Sequence, residues 1–285
     1  MVHLAIIWDY DTAAGMLNAT KPYNWVEANC LVEHENVDYI LADAIAHRVS
    51  MTFAVVGFAA EPGSPPFHVN EQLRRIAASG CELASHSWKH EWLPHLSDEQ
   101  LRLSLRRSKL SLERATDNVS TVVGFVPPHN KPATWWGKGA FSRGDERVSL
   151  FRAGSSIGGI VPILKDEGYT WMRVAYVPFF SSIISRRRRF WISPLQPSRV
   201  NRVTLFPMAY CGFDDRIRSH ITTMASRNED VVITVSGHPA ALSRQGVESK
   251  DEWLVFMRTM LALRDAGSLR FVTPRLLIDE GRYGD

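Results

Sequence analysis

The chain has 285 residues, 45% of them hydrophobic and 22% charged. That balance lets it bury a full core and excludes a disordered segment, a collagen repeat or a coiled coil. The 33 Lys and Arg against 30 Asp and Glu leave +3, too little to argue by electrostatics for a nucleic-acid partner.

Length alone is compatible with one large domain or two small ones. Met1 runs directly into Val2–Trp8, with no basic n-region and no cleavage site, so no secretory signal is read. No apolar run reaches the roughly 18 residues of a membrane helix. Cys30, Cys81 and Cys211 lack metal-ribbon spacing and read as reduced thiols, so the expected location is cytoplasmic.

In chain order, short apolar runs alternate with amphipathic stretches, the pattern of βα units around a mostly parallel sheet. His3 to Trp8 reads as a buried strand ending at an acidic turn. Val37 to His47 follows as a helix, and Ser50 to Gly57 as a second strand. Asn70 to Ser79 is a helix stopped by Gly80, and Cys81 to Ala84 a third strand. Ser97 with Gln100 forms a capping box opening a helix that runs to about Asp117. Strands are expected at Thr121 to Val126, Asp230 to Val235 and Arg270 to Thr273, with a helix from Asp251 to Ala266. Two stretches break the alternation, 131–150 and 175–215, and both read as inserted loops, the second with an antiparallel hairpin.

Three constellations lie at strand ends, where α/β folds place their sites. Asp9-Tyr10-Asp11 sets two carboxylates close together, either around a cation or as an Asx-capped turn. His86-Ser87-Trp88-Lys89-His90 puts two imidazoles on one face if the segment turns helical. It lacks the glutamate of a zinc-protease motif, so that mechanism is not supported. His238, held between Gly237 and Pro239, is fixed at a strand terminus as suits a general acid or base, or is a partly buried histidine capping the strand.

Taken in order, these segments resemble the polysaccharide deacetylase family, the NodB-homology domain of carbohydrate esterase family 4. Met51–Gly57 is similar to the family strand ATFFVVG. Ser79–His90 is similar to its GhEigsHtwsH segment, and Gly124–Asn130 stands where the family has gFRPPyG. The resemblance covers most of 3–130 and 228–280. It implies an α/β fold, an irregular (β/α) barrel of seven rather than eight units. Asp9 and His238 would then meet from opposite ends of the chain, so 1–285 is expected to be a single catalytic domain.

The implied activity is deacetylation of a carbohydrate, N-acetyl or O-acetyl, on an intracellular glycan precursor. Asp9 would be the general base and His238 the general acid. Asp11, His86 and His90 would hold a divalent metal, expected to be zinc, with cobalt, nickel or iron also compatible. Pro128, His129, Asn130, Arg152 and Trp88 are the expected substrate contacts, the His129 N–H being the candidate oxyanion donor. The family's motif arginine is replaced by Val126, and Arg152, in Phe151-Arg152-Ala153-Gly154, is the candidate substitute or else a solvated loop arginine.

Arg186–Arg189 would receive an anionic ligand or form a basic hairpin tip. Trp88, Trp135, Trp136 and Trp191 would stack sugars or pack locally. An amide hydrolase of a small non-sugar substrate, or a non-catalytic glycan-binding relative, are the alternatives. Oligomeric state is left open.

Overall fold

The computed structural model describes residues 1–19, 27–132, 152–175, 192–193 and 195–283. Most of the loop expected at 131–150, with Trp135 and Trp136, lies outside these residues, as do Arg186–Arg189 and Trp191.

Seven parallel strands close on themselves. They are β1 (Val2–Tyr10), β2 (Thr52–Val55), β3 (Glu82–Ser85), β4 (Gly124–Phe125), β5 (Trp171–Ala175), β7 (Val203–Cys211) and β8 (Val231–Gly237), the last pairing back onto β1. β6 (Ser198–Val200) is an antiparallel addition to β7. On one side of β1, Val2–Ala5 pairs with β9 (Leu269–Val272) while Ile7–Tyr10 pairs with β2, so the barrel is wedged open at its lower end. The expected seven-stranded irregular (β/α) barrel is the observed fold.

Strand alternation sorts the core into two layers. Along β1, Val2, Leu4, Ile6, Trp8 and Tyr10 face outward to the helices, whereas Ala5 and Ile7 pack inside the barrel with Ala54, Ala84, Val126 and Trp171. The outer layer is covered by α1 (Thr12–Ala19), α2 (Glu27–His47), α3 (Asn70–Ala78), α4 (Asp98–Ala115), α5 (Ile157–Asp166), α6 (Asp215–Ser226), α7 (Lys250–Asp265) and α8 (Pro274–Asp279). Trp8, Phe213 and Trp253 form its densest aromatic contact, with centroids 4.9–5.1 Å apart. Each such side chain contributes about 1.5–3 kcal/mol by burial. The capping box is formed in full: Gln100 N donates to Ser97 Oγ, and Ser97 N to Gln100 Oε1.

Two expectations need correction. The excursion at 175–215 contains the hairpin, but its second arm, β7, is a barrel strand between β5 and β8. Charge and proline around Val203–Cys211 hide it: Pro207 sits within the strand, and Arg202 precedes it. The strand expected at Thr121 to Val126 is only Gly124–Phe125, because Ser85 alone pairs with Phe125 on one side and only Trp171–Met172 on the other.

At the lower end of the barrel, Glu82 is buried, and its carboxylate accepts from Trp171 Nε1 at 2.8 Å and Thr52 Oγ1 at 3.1 Å. Burial pushes its pKa up to about 7 despite these bonds. The folded state therefore favours the protonated acid, and the stability this confers is present at acidic pH and lost as pH rises from the ordinary glutamate range through 7. At about 1.4 kcal/mol per unit, wild type should lose roughly 3 kcal/mol from this group between pH 4.5 and 8. Urea unfolding of Glu82→Gln should lack that loss; an unchanged slope would contradict the assignment.

Candidate active site

The alternation that turns Ala5 and Ile7 inward turns Asp9 inward as well, at the C-terminal end of β1. By the same rule Trp171 brings Arg173 inward on β5, Ala84 brings His86 just past β3, and Val232 brings His238 just past β8. Four polar side chains thus meet at the mouth of the barrel, the end where such folds place chemistry.

On one side of this mouth, Asp11 Oδ1 lies 3.3 Å from Nε2 of both His86 and His90. The three ligand atoms fall within 4.8 Å of one another. Asp11 Oδ1 is buried without a hydrogen-bond partner. His86 Nδ1 donates to the Val126 carbonyl at 2.7 Å, since a carbonyl only accepts, and this bond turns Nε2 toward Asp11.

Burial, reinforced by the charge of His86, pulls His90 down to about 4 against the pull of Asp11, so its ring is neutral near pH 7. Burial opposes ionisation of Asp11, yet the two imidazoles hold its carboxyl below the usual range. An orphaned buried carboxylate oxygen facing two imidazole nitrogens is a donor set that fits a divalent metal.

The two histidines converge without a helix. Residues 86–90 form an irregular turn in which Ser87 and His90 take φ of 64° and 58°. Gly57 N donates to Ser87 O, Phe58 N to Trp88 O, and Ser87 Oγ to Glu91 Oε2, which together hold this left-handed backbone. Gly15 on α1 supports it from behind: a Cβ there would stand 2.9 Å from Asp11 Cβ and 3.5 Å from His90 Cβ.

On the other side, Arg173 clasps Asp9 with two bonds, Nη1 to Oδ1 at 2.5 Å and Nη2 to Oδ2 at 2.6 Å, both residues being buried. Burial pushes the Asp9 carboxyl up, but the Arg173 charge outweighs it and the pKa is lowered. Nη2 also donates to Asn130 Oδ1 at 2.9 Å. His238 Nε2 stands 3.8 Å from Asp9 Oδ2, while its Nδ1 and its backbone N both donate to Glu248 Oε2 at 2.8 Å. Burial lowers the His238 pKa, and the Cys211 thiol and Glu248 carboxylate more than reverse it, leaving it well above the ordinary value.

Glu248 is thus a positioning residue that keeps His238 protonated. Replacing it with Gln should lower the His238 pKa and move the alkaline limb of a kcat/KM profile to lower pH. A limb that stays in place would leave Glu248 without that role.

The structure brings together Asp9, Asp11, His86, His90 and His238. Of the expected substrate contacts, His129 packs between His90 and Trp92, at centroid distances of 4.5 and 4.6 Å, with φ of 57°. Pro128 is buried beside it and Asn130 binds Arg173.

Two of the expected contacts are elsewhere. Trp88 is 5% exposed, edge-on to Phe58 and under the Arg107 guanidinium 4.0 Å away, so it packs behind the turn rather than facing a sugar. Arg152 is not at Asp9; its Nη1 donates to the His95 carbonyl, because the segment ahead of α5 lies over Leu93–His95. Arg173 takes the place foreseen for it. The signal was present as a single charge in the apolar run Trp171–Ala175, whereas Glu248 and Trp92 carried none.

Residues 32–134 match the family model described as polysaccharide deacetylase. Over this third of the chain the sequence is similar to the polysaccharide deacetylase family. This segment contains His86, His90 and Pro127–Asn130; Asp9, Asp11, Arg173 and His238 lie outside it, and the barrel brings them to the same mouth. No curated protein matches the chain.

Among solved structures, a protein assigned as a polysaccharide deacetylase from Mycobacterium smegmatis is similar at 17% identity and a TM-score of 0.62, over 98% of this chain and 89% of that one. Puue allantoinase is similar at 12% identity and a TM-score of 0.63, over 99% and 89%. A mutant carbohydrate esterase family 4 pseudoenzyme with restored activity, its wild type from Bacillus anthracis, is similar at 14% and 0.51, over 98% and 68%. At such identities these likenesses establish the barrel fold alone.

Proposed function

We propose that the protein is a metal-dependent hydrolase that removes an acetyl group, N-linked in the first instance, from a carbohydrate, and that it works in the cytoplasm on a glycan precursor. The observation that carries this reading is the convergence of Asp11, His86 and His90 on one point, with Asp9 and His238 beside it. The family of the 32–134 segment supports the chemistry. Three free cysteines accord with a reducing compartment. Among the described residues no helix is long and apolar enough to cross a membrane.

Asp11, His86 and His90 would hold the metal, zinc being the first choice for this donor set, and cobalt, nickel or iron are also compatible. When bound, such an ion acidifies water and polarises a carbonyl. Asp9, held ionised by Arg173, accepts a proton from the attacking water. His238, kept protonated by Glu248, delivers one to the departing amine. His129, with its pKa pulled down to about 3 chiefly by burial, stays neutral and walls the site beside Trp92.

The test is a substrate panel. Acetate release from N-acetylated sugar oligomers is expected, with O-acetylated sugars slower. Faster cleavage of a small cyclic ureide, or glycan binding without acetate release, would instead support one of the two alternative readings.

A further inference from the structure

Beside the proposed metal centre lies a second cluster that the hydrolytic chemistry does not need in full. Cys211, His238 and Glu248 place a thiol sulfur, an imidazole nitrogen and a carboxylate oxygen within 4.8 Å of one another, all three residues being half-buried. His238 turns Nδ1 into this cluster and Nε2 toward Asp9. Cys211 Sγ donates to Glu248 Oε1 at 3.7 Å.

A bulge puts the sulfur there. On β7, Val203, Leu205 and Ala209 face the outer core, and regular alternation would send Cys211 the same way. The register with β8 runs Met208 to Thr234 and then Tyr210 to Val235, so β7 carries one extra residue, and Cys211 ends opposite Ser236, on the inward side. Bulges next to active sites re-aim side chains in this manner.

We infer that Cys211, His238 Nδ1 and Glu248 form a second binding site, for a thiophilic divalent cation such as Zn2+, whose occupancy shuts the enzyme off. Thiolate, imidazole and carboxylate are the three common zinc donors, and three protein ligands leave a fourth position for water. Binding releases two protons to solvent, one from the Cys211 thiol and one from His238 Nδ1, and Glu248 exchanges its bond to that N–H for the metal. Nε2 then keeps its proton permanently, so His238 can neither deliver it readily nor take one back. The cation site stands without the proposed deacetylase activity; only its inhibitory effect rests on that reading.

The experiment titrates metal-free protein with Co2+, whose bond to a thiolate gives a charge-transfer band in the near ultraviolet. Wild type should bind two equivalents and show the band. Cys211→Ser should bind one equivalent without it, and Asp11→Ala one equivalent with it, each variant being checked for wild-type circular dichroism. Glu248→Gln serves as a second variant on the same site and should weaken the band-forming site at least tenfold. In turnover, excess Zn2+ should inhibit wild type and lose at least tenfold potency against Cys211→Ser. One equivalent in wild type, or a band that persists in Cys211→Ser, overturns the site. Two equivalents with no inhibition of a working deacetylase overturns only the shut-off.

Discussion

Arg173→Met should unfold about 3–5 kcal/mol more easily than wild type, because it strips the partner from a carboxylate that is 3% exposed. Methionine fills the arginine stem but leaves the buried Asp9 carboxylate without its two-bond partner. The buried acid then titrates upward, and at neutral pH much of it is protonated and cannot accept a proton from water. Catalysis should fall at least a hundredfold, with the remainder recovering as pH rises.

The sign follows from the lowered Asp9 pKa. Its contribution to stability is present above the ordinary aspartate range and fades as pH drops below it. The double variant Arg173→Met with Asp9→Asn separates the two effects. It should regain most of the stability, since no buried charge is left, and none of the activity. A double variant as unstable as the single would show that Arg173 acts through packing rather than through Asp9.

His238→Ala should lower kcat by about 10² to 10⁴, the usual worth of a positioned general acid. The size of the loss should depend on the leaving group. An amide must depart as an amine and needs the proton, whereas an acetyl ester of an acidic phenol departs unaided, so the variant should retain far more activity on the ester. The 3.8 Å between Nε2 and Asp9 places the two groups across one reacting centre, near enough for one to take a proton where the other gives one. An equal loss on both substrates would make His238 a structural residue and return the acid role to water.

The alternation of strands and helices was legible from short-range rules, whereas the seven-stranded barrel and the roles in the centre came from the resemblance that its motifs carry. Strand alternation carried Asp9 inward, the capping box fixed α4, and turn residues flanked His238. Arg173 escaped because a substitute for the missing arginine was sought in a similar local motif, Phe151–Gly154, while the barrel supplies it from the strand that faces Asp9 across the mouth. Glu248 escaped for a related reason: it reaches His238 from a loop ten residues on, with no periodicity to mark it. β7 was masked by Pro207 and its hairpin, and Cys211 by a bulge that only strand register reveals. Trp88 was placed at the substrate because a tryptophan between His86 and His90 can stack on a sugar. The positive φ at Ser87 and His90 sends the tryptophan backward onto Phe58 and Arg107 instead.

Metal dependence at Asp11, His86 and His90 is the central property of the proposed enzyme. Acetate release from an N-acetylated oligosaccharide should vanish when the protein is stripped with a chelator and return on adding back a divalent ion, while Asp11→Ala, correctly folded, should lose both that binding site and the activity. Undiminished acetate release from stripped protein, or an Asp11→Ala protein that keeps full metal content and full rate, would contradict it.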